Sequence, residues 1–212
     1  MVSAPTKGTA GAAAAAPGAA PAAAAGAAPG VAPGPTAGTV RGHLALMHAQ
    51  REALFDAIAD VPQARLWARP NPKKWSAGEH LDHTRVLNRA FRRLFAAAWP
   101  ALSPWARRRA DLPYATDIDD VYERPNMPLW VGFLWPPRRT PERPTSLDEL
   151  RRALTDEHEA VARFYADKPE PVLGHAALWD PAIGRINLIQ GLRVGVHHDL
   201  HHYRIARRML GR

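Results

Sequence analysis

Residues 187–209 read NLIQGLRVGVHHDLHHYRIARRM. Apolar residues recur there at three- and four-residue intervals and no proline intervenes, so the stretch reads as a helix from about Asn187 to Met209. Its centre is His197-His198-Asp199-Leu200-His201-His202. Helical residues four apart share a face with Cβ atoms about 5–6 Å apart. Two imidazoles so placed can reach one metal through bonds of about 2.0–2.1 Å. Two registers exist, His197 with His201 or His198 with His202, and helical phase separates them. At roughly 100° per residue, His197 and His201 share a stripe with Gln190, Arg193, Arg204 and Arg208, which reads as a solvent face. His198 and His202 share theirs with Gly191, Val194, Gly195, Ile205 and Met209, an interior side on which glycines permit close approach. The expected interior ligands are therefore His198 and His202.

A zinc-like site wants at least three protein ligands. The third comes from a second helix that begins near Ser76. Glu79 stands three residues on and completes a capping box. This helix runs to about Trp99 and is expected to stop at Pro100, because proline lacks the N–H a helix interior needs. One stripe carries His83, Leu87, Ala90 and Leu94, the opposite face Arg85, Arg89, Arg92 and Arg93. His83 opens the apolar stripe and is the natural third ligand. His80, nearly on the same face, is its rival.

Two more helices complete the pattern. One spans about Gly42 to Asp60, with Leu44, Met47, Leu54, Ile58 and Val61 at helical spacing and Pro62 after its end. The other starts at Ser146, again with a Glu three residues on, and carries Leu150, Leu154, Val161 and Phe164. Nine prolines fall from Pro100 to Pro144, a region expected to be a long ordered crossover that packs Trp105, Trp130, Phe133 and Trp135 onto the bundle. Residues 167–186 form a second connection. Four helices without a strand pattern indicate an all-α four-helix bundle, and the long link lets the second and third helices run parallel.

Composition narrows the chemistry. The chain has 212 residues, a formal charge of +8, ten histidines and no cysteine. Without cysteine there are no disulfides, iron–sulfur clusters or cysteine nucleophile, and any metal must be held by His, Asp or Glu. The basic residues come as scattered pairs beside acids and no nucleic-acid-reading motif accompanies them, so no nucleic-acid partner is expected. No stretch reaches the ~18–20 apolar residues of a membrane span, and the N-terminus makes a poor signal peptide, so the expected location is cytoplasmic, without a membrane partner. Thirty of residues 1–39 are Ala, Pro or Gly. They have little to bury and are expected to form a disordered tail, leaving residues 40–212 as the one bundle domain.

The segment Trp75-Ser76-Ala77-Gly78-Glu79-His80-Leu81-Asp82-His83 resembles the W-S-x-x-E-x-x-x-H segment of the DinB-like superfamily. So does Pro181-Ala182-Ile183-Gly184-Arg185-Ile186-Asn187-Leu188, followed by His198-Asp199-Leu200-His201-His202. The resemblance covers roughly residues 42–210. It implies an up-down-down-up four-helix bundle, often a homodimer, in which three histidines hold one divalent metal. Those histidines map to His83, His198 and His202, the set that helical phase favours. The family often carries Gln three residues after the last ligand, where this chain has Ile205. Its characterised members include metal-dependent thiol S-transferases and a thiol-dependent isomerase.

The functional expectation is a divalent-metal protein, with zinc or nickel as the ion. It would be a transferase or hydrolase acting on a small-molecule substrate with a low-molecular-weight thiol. The alternative is a non-catalytic, metal-stabilised bundle that binds a ligand or partner. Glu157, which interrupts the apolar face of its helix, is the candidate catalytic general base, and pairing with an Arg at the bundle edge is its other reading. Asp199 either orients an imidazole or sits in solvent. Asp82 leans to a surface charge, His158 is expected to be exposed, and Trp130 to Trp135 could roof a pocket.

Overall fold

A computed structural model describes residues 38–123, 145–180 and 183–212. The chain forms α1 (Val40–Ala57), α2 (Gln63–Leu66), α3 (Ala77–Arg107), a 3₁₀ turn at Val121–Glu123, α4 (Leu147–Ala166), α5 (Glu170–His175), β1 (Ala177–Asp180), β2 (Gly184–Asn187) and α6 (Leu188–Met209). The long helices α1, α3, α4 and α6 make the bundle: α3 packs on both α4 and α6, and α1 packs on the same two. The expected tail over residues 1–37 and the aromatic cluster Trp130–Trp135 lie outside the described residues.

Three of the long helices begin on reciprocal caps. Ser76 accepts from the Glu79 N–H at 3.2 Å while Glu79 accepts from the Ser76 N–H at 2.8 Å. Ser146 and Glu149 repeat the arrangement, as do Asn187 and Gln190. Each box satisfies two otherwise orphaned N–H groups. Thr39, which the sequence reading placed in the tail, is the N-cap of α1 and accepts from the Gly42 N–H at 3.0 Å.

The expected helix stop at Pro100 is wrong. α3 continues to Arg107 with Pro100 and Pro104 inside it. Both prolines are exposed, as are Ala96 and Ala101 beside Pro100. The carbonyls that lose N–H partners, those of Ala96 and Pro100, therefore lie on the solvent side, where water can satisfy them. Phe95 and Ala106 on the inner side are buried, with Trp99 and Leu102 packed against the core. That packing offsets the missing hydrogen bonds. Trp105 is exposed on this extension under the Arg109 guanidinium rather than packed on the bundle. Leu94 is also exposed; Phe95, not Leu94, continues the buried stripe.

The second connection is structured. After α5, β1 and β2 form a two-stranded antiparallel hairpin in which Ala177 pairs with Asn187 and Asp180 with Gly184. Gly184 adopts φ 92°, a left-handed conformation that a side chain would strain. The second strand runs directly into the cap of α6.

The interior is layered. One apolar cluster gathers Met47, Phe95, Val161, Tyr165, Leu192 and Val196 among others. A second gathers Leu54, Phe55, Leu81, Leu154, Tyr203 and Leu210. Between them every long helix contributes buried polar side chains: Arg51 from α1, Thr84 and Asn88 from α3, Glu157 and His158 from α4, and His198 and Asp199 from α6. Close approach of α3 and α6 depends on glycine. A Cβ at Gly191 would stand 2.7 Å from the Phe95 ring, and one at Gly195 would stand 3.3 Å from Asn88 Oδ1.

Candidate metal centre

The capping box at the start of α3 fixes one wall of the site. Glu79 is also gripped by Arg69, whose Nε donates to Oε2 at 2.8 Å. This ties the preceding turn to the helix and sets Trp75, His80 and His83 at one end of the α3–α6 seam. α6 supplies His198 and His202 one turn apart. The ring nitrogens of His83, His198 and His202 offer one ligand atom each, all within 4.8 Å of one another. His83 Nε2 and His198 Nε2 are 3.2 Å apart. Two nitrogens on a tetrahedral ion with bonds of about 2.0–2.1 Å would stand about 3.3 Å apart, so the rings already sit at ligand spacing. These three histidines could hold a metal ion.

His80 joins the cluster from the other side: its Nδ1 lies 2.9 Å from His202 Nδ1. That contact occupies Nδ1 of His202 and leaves Nε2 for a ligand role. Burial, reinforced by the neighbouring His198, His83, His80 and His201, pushes the His202 imidazole well below its ordinary value. Burial first, then His201 and His198 against a pull from Glu79, takes His80 down to about 4. Neutral imidazoles expose the lone pair that a metal needs. Trp75 covers the cluster, its ring centroid 4.8 Å from that of His83 and 5.2 Å from that of His80. Tyr122, from the 3₁₀ turn, stacks on His201 at 4.5 Å.

Behind His198 lies a buried polar chain that runs across the bundle. Asp199 is fully buried. Asn88 Nδ2 donates to both its oxygens at 3.0 Å. Arg51 Nη1 donates to His158 Nδ1 at 3.2 Å, which leaves the His158 proton on Nε2, 3.0 Å from Asp199 Oδ2. Asp199 Oδ1 stands 3.6 Å from His198 Nδ1, too long for a hydrogen bond and close enough for Coulombic attraction. Burial alone would raise the Asp199 carboxyl, but His158 and His198 hold it below the ordinary carboxylate value. His198 Nδ1 itself makes no hydrogen bond, so Asp199 acts on that ring through its charge. Of the two readings of Asp199, the solvated one is wrong: the carboxylate is buried and faces the His198 ring. His158, expected to be exposed, is buried. No local signal marked it, because only the fold brings α4 against Asp199.

Glu157 is buried, and each of its oxygens accepts from an arginine: Oε2 from Arg89 Nε at 3.0 Å and Oε1 from Arg92 Nε at 2.7 Å. The arginine face of α3 is thus partly an ion-pair surface for α4. Asp82, read as a surface charge, is buried beside Arg85 at 2.7 Å.

His197 corrects the phase argument. Helical phase puts it on a solvent face, yet it is buried. The segment after α3 covers that stripe, anchored where Asn187 Nδ2 donates to the Ala115 carbonyl at 2.8 Å and Arg193 Nε to Asp117 at 2.9 Å. His197 is buried without joining the metal-spaced histidines. Sequence reasoning gave Asn88, Arg51 and Tyr122 no role, since each gains its place only through a partner on another element.

No curated protein and no solved structure matches the chain. The family model of the DinB superfamily matches residues 46–206. That span exceeds half of the chain and contains His83, His198 and His202 with the helices that present them, so the chain belongs to the DinB superfamily.

Proposed function

We propose that His83, His198 and His202 hold one divalent ion, zinc or nickel, and that the protein is a metal-dependent transferase or hydrolase acting with a small thiol. The observation that supports this most is the convergence of three ring nitrogens within 4.8 Å. Imidazole suits both ions. A bound divalent ion with three neutral ligands would keep its full charge and lower the pKa of a coordinated water or thiol.

The chain's own residues prepare that chemistry. Asp199 steadies the His198 ring from behind, and His80 occupies the outer nitrogen of His202. Trp75 packs against the His80 and His83 rings. The chain has no cysteine, so any thiol must come from solution. Glu157, the candidate base, would have to release one of its two arginines to accept a proton. That pairing favours the second reading, a metal-stabilised bundle that binds a ligand without turning it over.

Cobalt-substituted protein titrated with 2-mercaptoethanol tests the proposal. Sulfur-to-metal charge-transfer absorption that H202A abolishes is expected. A spectrum unmoved by thiol from about pH 6 to 9, yet altered by carboxylates or phosphate, would replace thiol chemistry with hydrolysis or simple ligand binding.

A further inference from the structure

On the flank of α6 away from His198 and His202, α1, the Asp117–Glu123 segment and α6 line an open cavity of about 530 Å³, within the range of small-molecule sites. Its chemistry contrasts with that of the chain. The protein carries a formal charge of +8, but Asp117, Asp119, Asp120 and Glu123 all line this cavity against one arginine, Arg193. Arg193 is engaged by Asp117 at 2.9 Å, and Glu123 lies 3.7 Å from Arg204. Asp119 and Asp120 have no salt-bridge partner among the described residues, although Asp120 Oδ1 accepts from the Tyr122 N–H at 2.9 Å.

The inner wall is short of partners too. His197 is 5% exposed and lines the cavity, and its Nδ1 is buried without a hydrogen bond. Gln50 Oε1, on the α1 side, is likewise buried and unpaired. Buried polar atoms are ordinarily satisfied. The carboxylates call for positive charge, and the two unpaired atoms for a hydrogen-bonding partner, which for the Gln50 oxygen must be a donor. Leu46, Ile118 and Leu200 supply apolar wall between the polar groups.

We propose that this cavity binds an aliphatic polyamine, with its ammonium groups on Asp119, Asp120 and Gln50, its chain along Leu46 and Leu200, and one amine nitrogen beside His197. A bare metal ion fits less well. Among the described residues, the one set of three or more His, Asp or Glu with ligand atoms within 4.8 Å is His83, His198 and His202, so the cavity carboxylates do not converge on a point. Spaced carboxylates suit a ligand whose charges are themselves spaced. Anions are disfavoured by the same carboxylates, since Arg193 is already paired. This assignment does not depend on the metal reading.

Calorimetric titration of the full-length protein with spermidine tests it. Saturable one-to-one binding is expected, weakened at least about tenfold in D119N/D120N; Asp119 is exposed and an Asn at 120 still accepts from the Tyr122 N–H, so the fold should stay intact by circular dichroism. Binding should persist in H202A, and spermidine should shift the His197 ring ¹⁵N signals. The assignment is overturned by any of three results: no saturable binding up to about 10 mM spermidine, undiminished affinity in D119N/D120N, or displacement by magnesium as effective as that by putrescine at equal ionic strength. Loss of binding in H202A would place the amine at the histidine cluster and overturn it as well.

Discussion

The bundle has two kinds of interior, and they answer to different physics. The apolar clusters around Phe95 and Leu154 are built from side chains whose periodicity follows the helix. They hold the four helices together by removing hydrocarbon from water, about 1.5–3 kcal/mol for each fully buried large side chain. The polar layer between them runs Arg51, His158, Asp199, His198. Burying such groups costs free energy unless each finds its partner. The layer is therefore a poor source of stability and a good means of holding one imidazole in one orientation. Variants that separate stability from metal affinity should divide along this boundary.

The sharpest division concerns the ligands. H83A, H198A and H202A should each remove most of the metal measured by elemental analysis of purified protein, while H197A should retain it. If H197A emptied the site and H198A did not, the polar layer would be serving a different centre.

Next comes the residue behind His198. D199N keeps the shape and removes the charge that faces His198 and His158. Metal affinity by chelator competition should fall about 10–100-fold. L154A, one layer away in the apolar cluster, should cost about 2–5 kcal/mol in denaturant unfolding and leave metal affinity of the folded protein unchanged. Equal loss of affinity in both variants would erase the distinction between the two interiors.

Acid should act on the polar side alone. In metal-free protein the folded state holds His80 down at about 4 and His202 well below its ordinary value, whereas the unfolded chain takes up those protons below about pH 6.5. Stability is then full above pH 6.5 and falls as the pH drops toward the folded values. The melting temperature of metal-free protein should be flat from pH 8 to 7 and lower by roughly 5 °C at pH 5. An H80N/H202N variant should show a smaller drop. A melting temperature that rises on acidification would mean the histidines are charged in the folded state.

The smallest effect belongs to neither interior. Deleting residues 1–37 should leave the melting temperature within about 1 °C, whereas deleting 1–39 removes the Thr39 cap and should cost about 1 kcal/mol. A large loss from the shorter deletion would show that the Ala/Pro/Gly segment packs on the bundle.

Several features are legible in the sequence alone. The capping boxes at Ser76 and Ser146 are local in sequence, and both helices start where those motifs stand. The i, i+4 spacing of His198 and His202 is a property of the helix itself, and the glycines beside them do admit Phe95 and Asn88. The other elements needed a partner to be read. Pro100 looked like a terminator because its missing N–H is a local fact, but the burial of Phe95 and Ala106 that carries α3 past it is not. The β1–β2 hairpin was hidden because each strand is four residues long, too short for alternation to register.

The sequence by itself determined the four long helices apart from their ends, the caps at Ser76 and Ser146, the spacing of the histidines and the exclusion of cysteine ligands from this chain, because these follow from neighbours within a few residues or from composition. Only the tertiary structure decided that His197 is buried beside an acidic cavity, that Asp199 joins His158 and Asn88 behind the His198 ring, and that Glu157 is held by two arginines. Helical phase says which residues share a face. What covers that face depends on segments many residues away, and for a buried charge the identity of the distant partner is the whole of its chemistry.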